Sequence, residues 1–253
     1  MRRSALSLAL AALPMLAGQP IAYKEGGTAL AGYYAKPAGA KKAAPGVVIV
    51  HQWMGLTDHE RKVADDLAKL GYAALAADIF GEGVRPKNTA EAGAQAGKFK
   101  GDRALYRARI QAALDTLKAQ PGVDGSKVAV IGYCFGGTGA LEAARAGMAV
   151  KGVVSFHGGL DVPAGYVPTP IGTKVLVCHG AVDPFVPAKD VAAFQEEMKA
   201  ARADYVFIAY AGAVHAFTQK EAGDDPSKGA AYNEAAAVRS WRHMKDFFGE
   251  IFK

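Results

Sequence analysis

The chain has 253 residues, of which 51% are hydrophobic and 21% charged, the balance of a globular protein with a sizeable core. Its formal net charge is +6, but no run of lysine and arginine is dense enough to predict nucleic-acid binding. The chain has only two cysteines, which excludes a small domain held together by several disulfides.

The start of the chain has the pattern of a secretory signal peptide over residues 1–22. Arg2 and Arg3 form a basic start, residues 5–13 are apolar, and small residues offer cleavage at about positions 18–22. The apolar run is too short to span a bilayer as a helix of the mature protein. We therefore expect residues 23–253 to form one periplasmic or secreted domain without a membrane segment. An uncleaved membrane anchor is the alternative.

The next elements are a hairpin and a series of short strands. Residues 21–24 and 28–36 flank Gly26-Gly27 and predict an antiparallel β-hairpin. Six apolar runs follow, and such runs are typical of parallel strands covered on both faces. These runs are residues 47–50, 73–77, 128–131, 153–156, 175–178 and 205–209.

Amphipathic segments lie between most of these strands. Thr57 and Glu60 form a capping box, and Val63, Leu67 and Leu70 behind it share one face of a predicted helix. The alternation of strands and helices predicts a single-domain α/β fold, with a mostly parallel sheet, helices on both faces and an N-terminal β-hairpin.

Three further helices and one long loop complete the predicted fold. Apolar residues at helical spacing predict helices around residues 110–117, 191–198 and 238–248. Residues 81–100 show no such spacing, and we expect an irregular loop there that could act as a lid.

Gly132-Tyr133-Cys134-Phe135-Gly136 follows the strand at residues 128–131 and opens a helical segment. This G-x-C-x-G pattern at a strand-to-helix turn predicts a nucleophile elbow, in which glycines permit the sharp turn and the central side chain is exposed. The N–H groups at the start of a helix lower the pKa of a thiol, so Cys134 is the candidate nucleophile. A structural cysteine in a glycine-rich turn is the alternative.

The partners of such a nucleophile follow it in the order acid, then histidine. Asp183 comes after the strand at residues 175–178, and His215 after the strand at residues 205–209. Both positions lie past the carboxyl ends of parallel strands, where α/β sheets build their sites. Cys134, His215 and Asp183 are therefore the predicted catalytic triad.

With these motifs the chain resembles the dienelactone hydrolase family, a branch of the α/β-hydrolases, over nearly the whole mature sequence. The segments that carry the resemblance are Gly55, Gly132–Gly137, Gly180–Pro184 and His215–Phe217. The resemblance implies a Cys-His-Asp triad that hydrolyses an ester or lactone. It also implies an oxyanion hole made by the backbone N–H groups of Phe135 and Trp53, which agrees with the usual position of such donors.

Two positions depart from the family pattern. An acidic residue that helps to ionise the cysteine is replaced by Gln52, and an arginine that clamps a substrate carboxylate is replaced by Gln219. Arg85 could supply a replacement charge, although a solvated role fits it better. Aromatic residues and Gln52 around the motifs predict the substrate pocket. The pocket residues are Gln52, Tyr133, Phe185 and Phe217.

Other reactive side chains have less specific patterns. His51, His157 and His179 each end a strand, whereas His59 and His243 fall on helical faces and are expected at the surface. A metal site built from His157, His179 and Cys178 matches no zinc spacing, so we predict no metal site. A Cys134–Cys178 disulfide is the alternative to a free nucleophile and a buried Cys178.

The sequence thus predicts a hydrolase that acts on a small-molecule ester or lactone through a thioester acyl-enzyme, with no cofactor. We expect a monomer that binds neither nucleic acid nor, in its mature form, a membrane. Two alternatives stay open, a thiol redox or transfer protein and a catalytically silent binding protein. The absence of a C-x-x-C motif disfavours the first, and Gln52 leaves the second open.

Overall fold

The computed structural model describes residues 18–39, 42–163 and 165–253. The basic and apolar start that predicts a signal peptide, residues 1–17, lies outside the described residues. Among the described residues, no helix combines the length and the apolar character needed to cross a bilayer.

One sheet of eight strands forms the centre of the molecule, in the order β1-β2-β4-β3-β5-β6-β7-β8. Strands β3 to β8 pair in parallel, while β1 and β2 are antiparallel to their neighbours. The strands are β1 Gln19–Glu25, β2 Thr28–Ala35, β3 Ala44–Val50, β4 Ala73–Ala77, β5 Val123–Tyr133, β6 Gly152–Phe156, β7 Lys174–Gly180 and β8 Tyr205–Tyr210. The predicted fold class is confirmed.

Six α-helices cover this sheet on both faces. They are α1 Asp58–Lys69, α2 Thr89–Gly101, α3 Arg103–Lys118, α4 Phe135–Arg145, α5 Ala188–Ala200 and α6 Glu234–Ile251. Side chains alternate between the two faces of each strand, so Val48 and Val50 pack with α2 to α5 while Val47 and Ile49 pack with α1 and α6. Two apolar cores result, one on each face.

The N-terminal hairpin is confirmed, and it begins earlier than predicted. Residues 19–22 already belong to β1 and pair with residues 31–34 of β2. Cleavage before Gln19 would leave this strand whole, whereas cleavage after Ala22 would remove its first four residues. The site of cleavage itself stays a prediction.

The capping box of α1 is confirmed, because Thr57 Oγ1 accepts from a backbone N–H of the first turn and Glu60 accepts from the Thr57 N–H. Leu70 was expected on the inward face of α1, but it is 45% exposed, so the prediction is wrong at that residue. The prediction for the last helix is likewise wrong at Val238, which is 62% exposed. The predicted irregular loop over residues 81–100 is also wrong, because its second half is helix α2. Helix α2 consists mostly of small residues and has few large apolar ones, so it is only weakly amphipathic. Its sequence therefore lacks the apolar periodicity from which a helix is predicted.

The order of the strands creates a crevice at one edge of the sheet. After β3 the chain crosses to β4 on one side and returns to β5 on the other, so the connections diverge between β3 and β5. A crevice at the carboxyl ends of such strands is where open α/β sheets bind ligands. Trp53 follows β3 and Cys134 follows β5, so both lie at this crevice.

Candidate active site

Cys134 is the single residue between β5 and α4. Its backbone is in a rare conformation for a residue with a side chain, with φ 54° and ψ −116°. The turn fits only because glycines surround it. A Cβ on Gly132 would lie 1.9 Å from the carbonyl oxygen of Gly136, and a Cβ on Gly136 would lie 2.1 Å from that of Val50. The predicted elbow is confirmed in its geometry.

The surroundings of Cys134 stabilise its thiolate form. Burial alone would raise the pKa of the thiol, but the His215 imidazole, the Phe135 N–H and the more distant Lys100 ammonium lower it below its usual value. The Phe135 N–H is the first of α4, so the helix start contributes as the sequence predicts.

His215 connects Cys134 to Asp183. Its Nδ1–H donates to Asp183 Oδ2 at 2.8 Å, which leaves Nε2 to face the sulfur, while Asp183 Oδ1 accepts from the Phe185 N–H at 2.9 Å. Burial alone would lower the pKa of His215, but Cys134 and Asp183 together raise it to about 10. A lowered thiol pKa beside a raised imidazole pKa describes a thiolate–imidazolium pair.

The backbone around His215 is also fixed. Its N–H donates to the Gly229 oxygen at 3.1 Å, and its own oxygen accepts from the Ala231 N–H at 3.0 Å. These bonds hold the loop that follows β8, the edge strand of the sheet, and so fix the backbone from which the imidazole reaches Cys134.

His157 is a functional candidate that the sequence placed near the site without a role. It follows β6 with φ 40°. The Cys134 N–H donates both to the Phe156 oxygen at 3.0 Å and to His157 Nδ1 at 3.2 Å, while His157 Nε2 donates to Thr218 Oγ1 at 2.8 Å. Burial lowers the pKa of His157 well below its usual value, which keeps the ring neutral and Nδ1 able to accept. His157 therefore positions the backbone of the nucleophile, and its place at the end of a strand was the signal that could have found it.

The second predicted oxyanion donor, the Trp53 N–H, lies in a loop that α1 holds in place. The buried Glu60 carboxylate accepts from the Gln52 N–H at 3.3 Å and from the Thr57 N–H at 2.8 Å. The Glu60 carboxylate thus holds the loop on both sides of Trp53 in sequence. Trp53 and Phe135 line the same crevice. The part of Trp53 and Phe135 in binding an oxyanion stays a prediction.

A cleft with two lobes opens above Cys134, and both lobes are lined by Trp53, Cys134, Phe185 and His215. The first lobe, about 310 Å³, is closed by small residues of α2 and carries Lys100 as its cation. The second lobe, about 460 Å³, carries amides and one acidic side chain. The polar residues of the second lobe are Gln52, Gln219 and Glu221.

Two of the four predicted pocket residues line this cleft, namely Gln52 and Phe185. Tyr133 does not, because alternation along β5 turns its ring to the opposite face of the sheet, where it stacks on Phe156 at 4.7 Å. Phe217 does not either, because it is fully buried beneath the site and packs on His157 at 5.0 Å between ring centroids. The assignment of these two residues to the pocket is corrected accordingly.

The structure also shows where Arg85 and Gln219 lie. Arg85 donates to the Val84 oxygen at 2.7 Å and to the Gly81 oxygen at 3.2 Å, so it fixes its own loop. Gln219 lies in the second lobe as its sequence position implies, and its Nε2 finds no protein partner among the described residues.

The remaining histidines are more buried than expected. His51 is fully buried and accepts from the Ile79 N–H, so it supports the core beside the cleft. His59 packs on Tyr133, and His243 Nδ1 lies 2.8 Å from the hydroxyl of Tyr210. The expectation of surface positions for His59 and His243 is therefore wrong, since each helix turns its histidine toward the sheet.

The described residues form neither the disulfide between Cys134 and Cys178 nor a metal site that includes Cys178. Cys134 and Cys178 are both free, and burial raises the pKa of the Cys178 thiol to about 12, which makes it an inert core residue. Among the described residues, no three side chains group as metal ligands, and the set His157, His179 and Cys178 does not converge.

Comparison with known proteins gives the same family as the motifs. The sequence profile described as the dienelactone hydrolase family matches residues 30–252. A candidate carboxymethylenebutenolidase of Synechocystis is 27% identical over 238 residues, covering 87% of this chain and 91% of that protein. A candidate 2-oxo-3-(5-oxofuran-2-ylidene)propanoate lactonase of Bradyrhizobium is 29% identical over 209 residues, covering 79% of this chain and 81% of that protein.

The fold also matches a solved structure with substantial sequence identity. A dienelactone hydrolase-like promiscuous phosphotriesterase from metagenomic libraries is 41% identical and superposes with a TM-score of 0.88. The match covers 93% of this chain and 98% of that protein, so the whole domain is shared.

Proposed function

The chain belongs to the dienelactone hydrolase family, and on that premise we propose that it hydrolyses carboxylic esters or lactones through a thioester on Cys134. The observation that carries the proposal is the contact of Cys134 with His215 at the junction of the two cleft lobes. A thiolate held open to a cleft is a nucleophile ready for acyl transfer. The proposed reaction requires no metal and no organic cofactor.

The first half of the reaction forms the acyl-enzyme. The Cys134 thiolate attacks the ester carbonyl carbon, and the N–H groups of Phe135 and Trp53 bind the resulting oxyanion, each worth about 3 kcal/mol of barrier. The carbon–oxygen bond then breaks, and the departing alkoxide takes the proton from His215 Nε2. The products of this half are the alcohol and a thioester.

The second half depends on a change in the basicity of His215. The thiolate is a principal reason why the pKa of His215 is raised, and a thioester carries no charge. After acylation the pKa of His215 therefore falls, and the neutral imidazole can take a proton from water. The hydroxide attacks the thioester, the carbon–sulfur bond breaks, and the acid leaves with the thiolate restored.

The replacement of an acidic residue by Gln52 fits this scheme. Gln52 is neutral and takes no proton, so His215 and the start of α4 stabilise the thiolate. The replacement of an arginine by Gln219 removes a bidentate site for a carboxylate from the second lobe. We therefore propose that the second lobe receives an uncharged part of the substrate.

A burst experiment tests the hydrolase proposal. Purified protein mixed with p-nitrophenyl acetate should release a burst of p-nitrophenolate equal to the enzyme concentration, followed by slower turnover. Cys134→Ala should abolish the burst and lower turnover by about a thousandfold or more. Cys134→Ser should also be strongly impaired, because serine needs a stronger base than thiol.

The same experiment separates the alternatives kept from the sequence. A burst that survives Cys134→Ala would contradict the assigned nucleophile. Turnover of peroxide or of a disulfide without ester hydrolysis would favour a thiol redox protein, and no turnover of any ester with intact fold would favour a silent binding protein.

Phosphotriesters are a second candidate substrate class, because the 41% identical relative is described as a promiscuous phosphotriesterase. The Cys134 thiolate could attack phosphorus and displace an aryloxide by the same geometry. With paraoxon, we expect release of p-nitrophenolate that requires Cys134. Equal release by Cys134→Ala would contradict this candidate.

We also propose that the protein is exported, which rests on the signal pattern of residues 1–22 and on no structural finding, and that the mature chain is a monomer. N-terminal sequencing of protein from a periplasmic extract should give a start at or shortly after residue 18. Light scattering should give the mass of one chain.

A further inference from the structure

A second cavity, separate from the catalytic cleft, lies on the opposite face of the sheet. Its volume is about 520 Å³, larger than either lobe of the cleft, and it lies between α1, α6 and the loop after His215. Its floor is apolar and buried. The floor residues are Val63, Tyr133 and Phe156, and the half-buried Trp241 forms a wall.

The rim of this cavity is basic. Four basic and two acidic side chains line it, and they are Lys62, Lys220, Arg242, Lys245, Asp66 and Glu221. Asp66 is already paired with Lys62 and Lys69, which leaves Lys220, Arg242 and Lys245 against Glu221, so the charge offered to a ligand is positive. An apolar floor beneath a basic rim matches a molecule with an apolar body and one anionic end.

His59 supplies an independent polar signal inside the cavity. It lines the cavity from α1, and its Nε2 is buried without a protein hydrogen-bond partner among the described residues. Buried polar atoms in proteins are nearly always partnered by protein or by ordered water, so such an atom in a cavity wall marks a place that holds a water or a polar ligand atom. A carboxylate or hydroxyl oxygen of a ligand would satisfy it.

The cavity also shares its wall with the catalytic centre. Glu221 lines both the cavity and the second lobe of the cleft, and Thr218 lines the cavity while it holds His157. Tyr133, on the floor, is the residue before Cys134. The second cavity and the catalytic cleft are thus distinct spaces on either side of the segment that contains Thr218 and Glu221.

We propose that this cavity is a second, non-catalytic binding site for an amphipathic carboxylate, with an aromatic or aliphatic body on the Tyr133–Phe156 floor and the carboxylate toward Arg242 and Lys245. A carboxylic acid is also the product class of the proposed hydrolysis. The binding test below requires no turnover, so its result is independent of the proposed reaction.

Tryptophan fluorescence can report binding to the second cavity separately from binding to the catalytic cleft. The chain has two tryptophans, Trp53 in the catalytic cleft and Trp241 in the second cavity. In the full chain carrying Trp53→Phe, with Cys134 blocked by iodoacetamide, Trp241 is the only tryptophan. Titration with 4-nitrobenzoate should quench it saturably, and 4-nitrobenzamide, which has the same shape without the charge, should bind at least about fivefold more weakly.

Variants in the same background locate the charge. Arg242→Gln with Lys245→Gln should weaken 4-nitrobenzoate binding about tenfold at low salt and leave 4-nitrobenzamide binding unchanged. Arg239→Gln is the matched control, because Arg239 is exposed on the same helix and does not line the cavity. Unsaturable quenching, equal affinity for acid and amide, or equal weakening by Arg239→Gln would each overturn the proposal.

Discussion

At the scale of single residues, the site depends on two shifted ionisations that support each other. The pKa of Cys134 is lowered chiefly by His215, and the pKa of His215 is raised to about 10 chiefly by Cys134 and Asp183. Neither residue has this property alone, so the charged pair exists only where the two side chains meet. Reactivity is therefore a property of the pair.

The pH dependence follows from these shifts. The thiolate exists above the lowered pKa of Cys134, and the imidazolium exists below about pH 10, the pKa of His215. We expect kcat/KM for an alkyl ester, whose alkoxide leaves only with a proton, to rise on the acid side with the ionisation of Cys134 and to fall near pH 10, where that proton is lost from His215. Initial rates from pH 4 to 11 measure both limbs.

Alkylation by iodoacetamide gives the control for this profile, because it needs only the thiolate. His215→Ala should move the alkylation of Cys134 to higher pH, since the main stabilising charge is gone. Cys178 should stay unreactive throughout, because burial raises its pKa to about 12. An alkylation profile that does not move in His215→Ala would contradict the ion pair.

At the scale of elements, the turn between β5 and α4 places the nucleophile. Strand and helix are joined by Cys134 alone, and the glycines on either side allow the backbone of α4 to approach the end of β3. The closeness of these backbones explains both the exposure of the sulfur and the direction of the first helical N–H groups toward it. Any side chain at Gly132 or Gly136 would separate them.

Gly136→Ala should disrupt this element. Its Cβ would meet the Val50 oxygen at 2.1 Å, and neither backbone can shift without moving a central strand. We expect the free energy of unfolding to fall by about 3 kcal/mol or more, measured by urea denaturation. Esterase activity should fall with it, because Cys134 is adjacent.

Gly249→Ala is the matched control for that substitution. Gly249 lies in α6 with nothing within 4 Å of an added Cβ. Alanine there should raise the free energy of unfolding by about 0.5–1 kcal/mol through its better helix propensity. If Gly136→Ala and Gly249→Ala lower the free energy of unfolding equally, steric crowding at the elbow is not the reason why position 136 requires glycine.

At the scale of the whole molecule, a buried ion-pair network connects three helices on one face of the sheet, α3, α4 and α5. Arg145 of α4 makes two bonds of 2.7 Å with Glu197 of α5 and one of 2.9 Å with Glu142. Glu142 Oε2 also forms an ion pair with Nη2 of Arg107 on α3, at 2.7 Å. All three helices that flank the nucleophile turn on this face are therefore fixed to one another by charge.

Arg145→Met should reveal the energy stored in that network. It leaves the buried Glu197 carboxylate without its partner, which costs about 3–5 kcal/mol in the free energy of unfolding. Arg145→Met with Glu197→Met removes both charges, so the double variant should be less destabilised than Arg145→Met alone. Urea denaturation of the wild type, Arg145→Met, Glu197→Met and the double variant measures this, and strictly additive losses would contradict a buried pair.

The order of elements and the identity of the candidate triad could be predicted from the sequence because both depend on local signals. Apolar runs, a capping box and glycines around Cys134 act within a few residues, and Asp183 and His215 follow strands that are themselves locally apparent. Helix α2 escaped this reasoning because its small residues give a weak periodic signal, and packing on the cleft decides its conformation.

Which side chains line a common space becomes apparent only in the folded chain. Nearness in sequence to Cys134 and His215 predicts that Tyr133 and Phe217 line the pocket, but strand alternation and core packing turn both rings away from it. The support of Cys134 by His157, and the basic cavity behind it, require residues distant in sequence to meet. Local propensity fixes the elements and their order, whereas the direction and partners of each side chain depend on contacts that close only when the sheet is assembled.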